Sequence, residues 1–461
     1  MRMDDMVLVS VDDHVCEPPD LFERHVPEKW RSRAPRLLQK ENGADVWYLE
    51  GQQIPNVGLN AVAGRAPEEY GMEPTSLAQL RRGCWDVHAR VDDMNANGVL
   101  GSLCFASMTG FCGELFSRLP DPELARVLWR AYNEWHLDDW CASAPGRFIP
   151  LALPLLSDPR ATADEIRRLA KRGCHAMTFP DAPPGLGHPS LHSDYWTPIW
   201  EAADECHTVL CMHIGSGTGM NLQDQSAPVE IMITSTPITL YNGLTELVYS
   251  KFLPKYPNLK FALSEGGIGW IPYFLERADY VHRHHHRWTL NELGGKLPSD
   301  VFREHIVSCF IDDAVGVRNR DSIGVETITW ECDYPHSDST WPHAPEVLWE
   351  SLAGVPDAEI DAITHANAMK HFSYDPFAHV PRERATVGAL RARAKHVDLT
   401  PQRGLGGKQP SDYAAGYATI GDVVKQMAGA FAVAFREGQD VDEAKLREAL
   451  LQRAAAHGAR R

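Results

Sequence analysis

Short apolar runs of strand length recur along the chain, and from residue 82 onward they alternate with stretches whose apolar residues fall at helical spacing. That alternation is the signature of βα units built on a parallel sheet. Eight runs read as strands: 6–14, 99–107, 147–155, 174–181, 208–215, 259–267, 306–313 and 327–335. Between them the punctuation predicts a helix over 86–96 that ends at Gly98. A second, over 158–172, is entered through Ser157-Asp158-Pro159 and ends at Gly173, and a third covers 195–206. Eight strands buried on both faces predict an α/β fold, a distorted (β/α)₈ barrel, with an open doubly wound sheet as the second choice. Two regions break the rhythm. Residues 20–81, rich in Pro, Gly and Arg, read as an insertion over the active-site end of a barrel spanning 1–396. Residues 397–461 read as a turn-rich linker followed by amphipathic helices at 419–436 and 441–457, an element for packing or oligomerisation.

The polar residues that close these runs change the picture. The first run ends in VSVDDHVCEP (9–18), which taken alone is an acidic turn before Pro18-Pro19. The other runs repeat the theme: His213 closes the fifth, Glu265 the sixth, Asp312 and Asp313 the seventh, and Asp333 the eighth, with His336 just beyond. Catalytic groups of a (β/α)₈ barrel project from the C-terminal ends of its strands. Carboxylates gathered on one rim repel each other unless a positive charge sits among them. No Lys or Arg occupies these ends, so a divalent cation or a pair of them is the simplest compensation, with imidazole and carboxylate as ligands. Asp12 and His14, two apart on a strand, point the same way, and Asp13 faces away.

Composition narrows the partners. A net charge of −17 argues against nucleic-acid binding, which needs a basic face. No apolar stretch is long enough to span a membrane and the N-terminus lacks a signal-peptide pattern, so a cytoplasmic protein is expected. Ten cysteines without any C-x-x-C pair read as buried small apolar residues rather than a disulfide framework or a zinc site. G-S-G-T-G (215–219) is a poor match to a nucleotide loop. Trp270, Trp288, Trp330 and Trp341 are candidates to line an apolar substrate pocket.

The D-D-H-V-x-E-P opening, C-M-H-I-G-S-G (211–217), S-E-G-G-I-G-W-I-P-Y (264–273) and E-C-D-Y-P-H-S-D-S-T-W-P (331–342) carry a resemblance. Over residues 5–375 the chain resembles the amidohydrolase-related family that includes aminocarboxymuconate-semialdehyde decarboxylase. The resemblance implies a distorted barrel with metal at His14, His213 and Asp333. Two departures stand out: Asp12 replaces the first histidine of the usual H-x-H, and Glu265 replaces the sixth-strand histidine. A donor set that gains Asp12, Glu17 and Glu265 is harder, suits iron or manganese, and can bridge two ions. That pattern is similar to a branch of the family made of non-haem diiron or iron–manganese monooxygenases, which includes diterpenoid acyl-CoA hydroxylation in platensimycin and platencin biosynthesis. The resemblance to this branch implies a further imidazole from R-H-H-H-R (283–287), His285 first and His286 next. It also implies two iron ions, O2 as cosubstrate, an external electron donor, an acyl-CoA substrate and a homo-oligomer, expected to be a dimer. The alternatives are a metal-dependent decarboxylase or hydrolase, in which His336 or Glu265 moves protons, and a non-catalytic partner subunit.

Overall fold

The computed structural model describes residues 1–54, 56–71, 76–218, 224–405 and 413–430. Eight parallel strands form its core: β1 (Val9–Val15), β2 (Gly101–Ala106), β3 (Phe148–Ile149), β4 (Ala176–Thr178), β5 (Val209–His213), β6 (Lys260–Ser264), β7 (Ile306–Phe310) and β8 (Ile328–Trp330). Seven lie within the runs read from the sequence, and β1 extends one residue past the run at 6–14. Strands β1 to β3 pair in chain order, as do β4 to β8. A single bridge between Ala152 and Met177 joins the two arcs on one side. On the other, Asp333 N–H donates to the Asp12 carbonyl at 2.8 Å and His14 N–H to that of Tyr334 at 2.7 Å. The result is a distorted (β/α)₈ barrel. The run at 147–155 keeps only two residues in regular strand, because the chain there forms the seam between the arcs.

Val9, Val11, Leu103, Phe105, Val209, Cys211, Ala262, Val307 and Cys309 pack into one cluster inside the barrel. Helices cover its outside, and their ends follow local chemistry. Helix α1 (Val87–Asn97) starts where the Asp86 carboxylate accepts from His88 and Ala89 N–H, and stops at Gly98, whose φ of 76° suits glycine. Helix α2 (Pro159–Ala170) has Asp158 as N-cap and proline at its first position. Helix α3 (Thr197–Cys206) precedes β5. All ten cysteines are free thiols, nine of them buried. Among the described residues, no helix is long and apolar enough to cross a membrane.

The stretch after β1 contains an antiparallel sheet of Arg36–Gln39, Asp45–Leu49 and Gln52–Ile54. Between β5 and β6 lie α4 (Val229–Ser235) and α5 (Ile238–Val248), and after β6 comes the long α6 (Ile271–Thr289). Near the C-terminus, α7 (Ile420–Ala430) returns to pack Ile420, Val423 and Val424 against Met232 of α4. The helix expected at 441–457 lies outside the described residues.

Candidate metal centre

Strand β1 changes phase as it reaches the barrel mouth. Ser10 pairs with Ser102 and Asp13 with Cys104, so two residues of β1 stand opposite one of β2. This is a β-bulge, which re-aims the side chains after it. Val9 and Val11 point into the barrel; past the bulge the inward positions become Asp12 and His14. Asp13 faces away, as expected, its carboxylate bound by Ser102 Oγ and, at 2.9 Å, by Tyr334 N–H. Burial lifts the Asp13 carboxyl to about 6, against the pull of nearby Arg90.

His213 needs no such device, since it continues the inward phase of Val209 and Cys211. Glu265 follows the last residue of β6 with φ of 59°, and Asp333 follows β8 with φ of 57°. Both are left-handed backbone conformations that cost free energy for residues other than glycine and cluster at functional sites.

These residues meet. His14 Nε2 lies 3.2 Å from His213 Nε2, 3.5 Å from Asp12 Oδ1 and 3.3 Å from Asp333 Oδ1. His213 Nε2 is also 3.7 Å from Asp12 Oδ2 and 3.2 Å from Glu265 Oε2. His336 Nδ1 is 2.9 Å from Asp333 Oδ1 and 3.9 Å from Glu265 Oε1, and its ring stacks on that of His14 with centroids 3.7 Å apart. His213 Nδ1 lies 2.9 Å from the Ile214 carbonyl, which can only accept. Nδ1 therefore carries the proton, and Nε2 presents a lone pair to the cluster.

Charge is uncompensated here. Burial pushes the Asp12 carboxyl well above the usual range, with Glu331, Glu265 and Asp333 adding to the push. Asp333 is raised by burial and then by Glu265. Burial drives His14 well below its ordinary value, helped by His336 and His213. Glu265 is the exception, its carboxyl held below the usual range because the pull of His213 and His336 outweighs burial. Both oxygens of Asp12 and of Asp333 are buried without a hydrogen-bond partner. Native interiors rarely leave such atoms unpaired. A divalent cation bound here would compensate carboxylates that the protein leaves unpaired, and two Nε2 atoms 3.2 Å apart are close to the spacing of about 3.3 Å set by metal–nitrogen bonds at tetrahedral angles. Asp12, His14 and His213 form one compatible donor group, and His14, Asp333 and His336 another.

Other expected ligands go elsewhere. The Glu17 carboxylate accepts from Ser107 N–H at 3.1 Å and Met108 N–H at 2.8 Å, which locks the β2 exit loop instead of facing the cluster. Burial raises it to about 7. His285 and His286 sit in the last turns of α6, about 20 Å along the helix from its start beside Glu265. His285 is exposed and accepts from Trp288 Nε1, while His286 Nδ1 is held by the His282 carbonyl. The structure does not bring them to the centre. Asp312 binds Ser351 Oγ, and Asp313 caps a helical turn while accepting from Ile268 and Gly269 N–H. The sequence reading missed Glu331. It is fully buried, accepts from Glu265 N–H at 3.2 Å, and is raised by burial to about 8. Its position two residues before Asp333 in E-C-D was the available signal.

The centre opens into a pocket of about 180 Å³ to which His213, Glu265 and His336 contribute. Leu59, Phe111, Ile214, Met232 and Ile311 form its apolar wall. The four tryptophans considered from the sequence do not line it. Phe111 packs on His213 with centroids 4.1 Å apart. Leu59 and Asn56 come from the 20–81 stretch, so that stretch does reach the site.

A family model described as Amidohydrolase matches residues 27–373. Among solved structures, an amidohydrolase from Mycobacterium avium subsp. paratuberculosis is similar with a TM-score of 0.62 at 19% identity, over 79% of this chain and 97% of its own. The 5-carboxyvanillate decarboxylase of Sphingomonas paucimobilis gives 0.51 at 22% identity, over 67% and 89%. A dihydroxybenzoic acid decarboxylase from Polaromonas, solved with manganese and 2-nitroresorcinol, gives 0.53 at 16% identity, over 82% and 99%. At these identities the likeness is one of fold. The family match spans seven of the eight barrel strands together with His213, Glu265, Asp333 and His336, and on that basis the chain belongs to the amidohydrolase family.

Proposed function

We propose that the protein is a metal-dependent decarboxylase or hydrolase of a small molecule. The observation that carries this reading is the pair of buried carboxylates, Asp12 and Asp333, whose four oxygens lack partners beside two imidazole nitrogens at the floor of a pocket. Asp12, His14, His213 and Asp333 would hold the ion. When bound, such an ion supplies Lewis acidity and a more acidic bound water. The chain's own groups do the rest. The Ile214 carbonyl keeps the His213 proton on Nδ1. His336, bordering the pocket with its Nδ1 2.9 Å from Asp333 Oδ1, is placed to carry a proton to or from the substrate, with Glu265 next in line. Phe111 and Ile214 limit water around the reacting group. Decarboxylase relatives of the same fold support this chemistry, and so does the loss of Glu17 and the 285–286 histidines from the ligand set.

A second reading, an oxygen-dependent hydroxylase with two iron or iron–manganese ions, is favoured by one observation. Asp12, Glu265, Asp333 and Glu331 make four carboxyl groups around one centre, more than one divalent ion neutralises when they are ionised. That reading would bring in an external electron donor and an acyl-CoA substrate. One experiment separates the two. Protein produced with iron, manganese and zinc all supplied is subjected to elemental analysis, then incubated under argon with 5-carboxyvanillate and dihydroxybenzoates while CO2 release is followed. One metal per chain with turnover under argon is expected. Two irons per chain with turnover only in oxygen transfers the assignment to the second reading.

A further inference from the structure

The pocket beyond the metal centre has an unbalanced hydrogen-bonding inventory. Most of its side-chain donors beyond the centre are engaged with the protein. Ser107 Oγ donates to the Val15 carbonyl at 3.0 Å, Ser216 Oγ to Asp181 at 3.3 Å, Thr236 Oγ1 to the Met232 carbonyl at 2.8 Å, and the Asn56 amide to the Ser107 carbonyl at 3.0 Å. Asn60 and Ser337 are engaged with each other. Among the described residues no Lys or Arg lines the pocket. Two carboxylates do, Glu114 and Asp338, in addition to Glu265.

Glu114 occupies a shaped niche. Its carboxylate lies where a side chain at residue 110 would be: a Cβ on Gly110 would sit 2.0 Å from it, so glycine is required there for a second reason besides its φ of 76°. One oxygen accepts from Cys112 N–H at 3.2 Å, which fixes the side chain in the pocket wall. Burial raises its carboxyl, opposed in part by Arg118, which does not itself line the pocket. A partly buried carboxylate that accepts from Cys112 N–H and its own backbone N–H has acceptor capacity left for a ligand.

We propose that Glu114 determines substrate specificity by receiving a hydrogen-bond donor, an ammonium or a hydroxyl, at the end of the substrate remote from the metal centre. This rests on the metal-dependent reading of the site. An apolar body fits the wall of Leu59, Ile214 and Met232, and a second carboxylate or a phosphate at the remote end meets Glu114 and is rejected. Unpaired buried acceptors discriminate strongly between donor-bearing ligands and analogues that lack the donor.

The test uses the full chain loaded with manganese and series of straight-chain acids of increasing length, each bearing a terminal ammonium, hydroxyl, methyl or second carboxylate. Binding is measured by calorimetry. At one chain length the ammonium or hydroxyl acid should bind at least ~10-fold more tightly than the diacid, as expected for one hydrogen bond to a charged group. In Glu114→Gln, whose amide oxygen still accepts from Cys112 N–H, the ammonium preference should collapse towards that of the methyl acid while metal content is unchanged. The hydroxyl acid distinguishes the two donor sources, because it should lose less in the variant. A diacid that binds as well as the amino acid at every length, or an ammonium preference that survives in Glu114→Gln, overturns the proposal. Metal content and binding of the methyl acid report separately on the metal site.

Discussion

Replacing Asp12 by Asn should move stability and metal binding in opposite directions. Asp12 Oδ1 and Asp333 Oδ1 both lie within 3.5 Å of His14 Nε2, which places them no more than about 7 Å apart. Two unit charges at that separation repel by about 2 kcal/mol at an effective dielectric constant near 20. In metal-free protein the Asn variant is relieved of that repulsion, so its urea midpoint in chelator should lie above that of the wild type. The sign with pH follows from the raised carboxyls. A carboxyl whose folded pKa exceeds its unfolded value contributes stability at low pH that is lost as pH rises through the folded value. The advantage of the variant should therefore grow between pH 6 and pH 8. With manganese present the order should invert, because a ligand stabilises according to its affinity for the native state and the variant has lost a donor. Urea titrations at both pH values, with chelator and with metal, give all four comparisons. An Asn variant that is less stable than wild type in chelator at pH 8 would refute the reasoning, since it would mean that Asp12 is satisfied by the protein alone.

Glu265→Gln keeps Asp12, His14, His213 and Asp333, so metal content measured by elemental analysis should persist while turnover falls by about 10²-fold, the usual scale for losing a proton-handling group. Loss of half the bound metal would favour the two-ion reading. His136, fully buried and lowered by burial to about 4, folds in its neutral form; stability should fall as pH drops from about 6.5 towards 4, and His136→Gln should flatten that part of the urea-midpoint profile by up to about 3 kcal/mol. Deleting residues 413–461 removes the helix that covers Met232. Metal content should be unchanged, and hydrogen exchange should rise in Val229–Ser235 while the barrel strands stay protected. Metal loss from the folded truncation would contradict this.

The strand count and the strand-end chemistry were legible because both follow from local patterns: buried apolar runs, and polar residues at their C-terminal ends. Phase was not legible. Period-two alternation correctly put Asp12 with His14 and Asp13 opposite, but continued from Val9 and Val11 it would have turned the first two out of the barrel. Only the pairing with β2 reveals the extra residue. Glu265 likewise breaks the inward phase of Ala262 through a left-handed residue that no composition rule marks. Glu17 and the histidines at 284–286 misled for a different reason. Ligand-type residues near a site in sequence can be spent on loop anchoring, as Glu17 is, or carried away along a helix. Glu331 escaped notice because a buried acid inside a strand run reads as part of its motif until its neighbours are known.

The bulge at Val11–Asp12 makes the metal centre a property of spacing as well as of residue identity. Were the same residues to run as regular strand from Val9 without the bulge, Asp13 and Val15 would face the pocket and Asp12 and His14 would turn away from it, with every ligand still encoded. Point substitution explores donor sets one residue at a time, whereas a one-residue slip of register past that point would exchange two positions together and leave the hydrophobic run intact. In relatives of this chain, an odd separation between the first valine of β1 and its histidine therefore calls for such a bulge, and an even one brings the histidine inward without it.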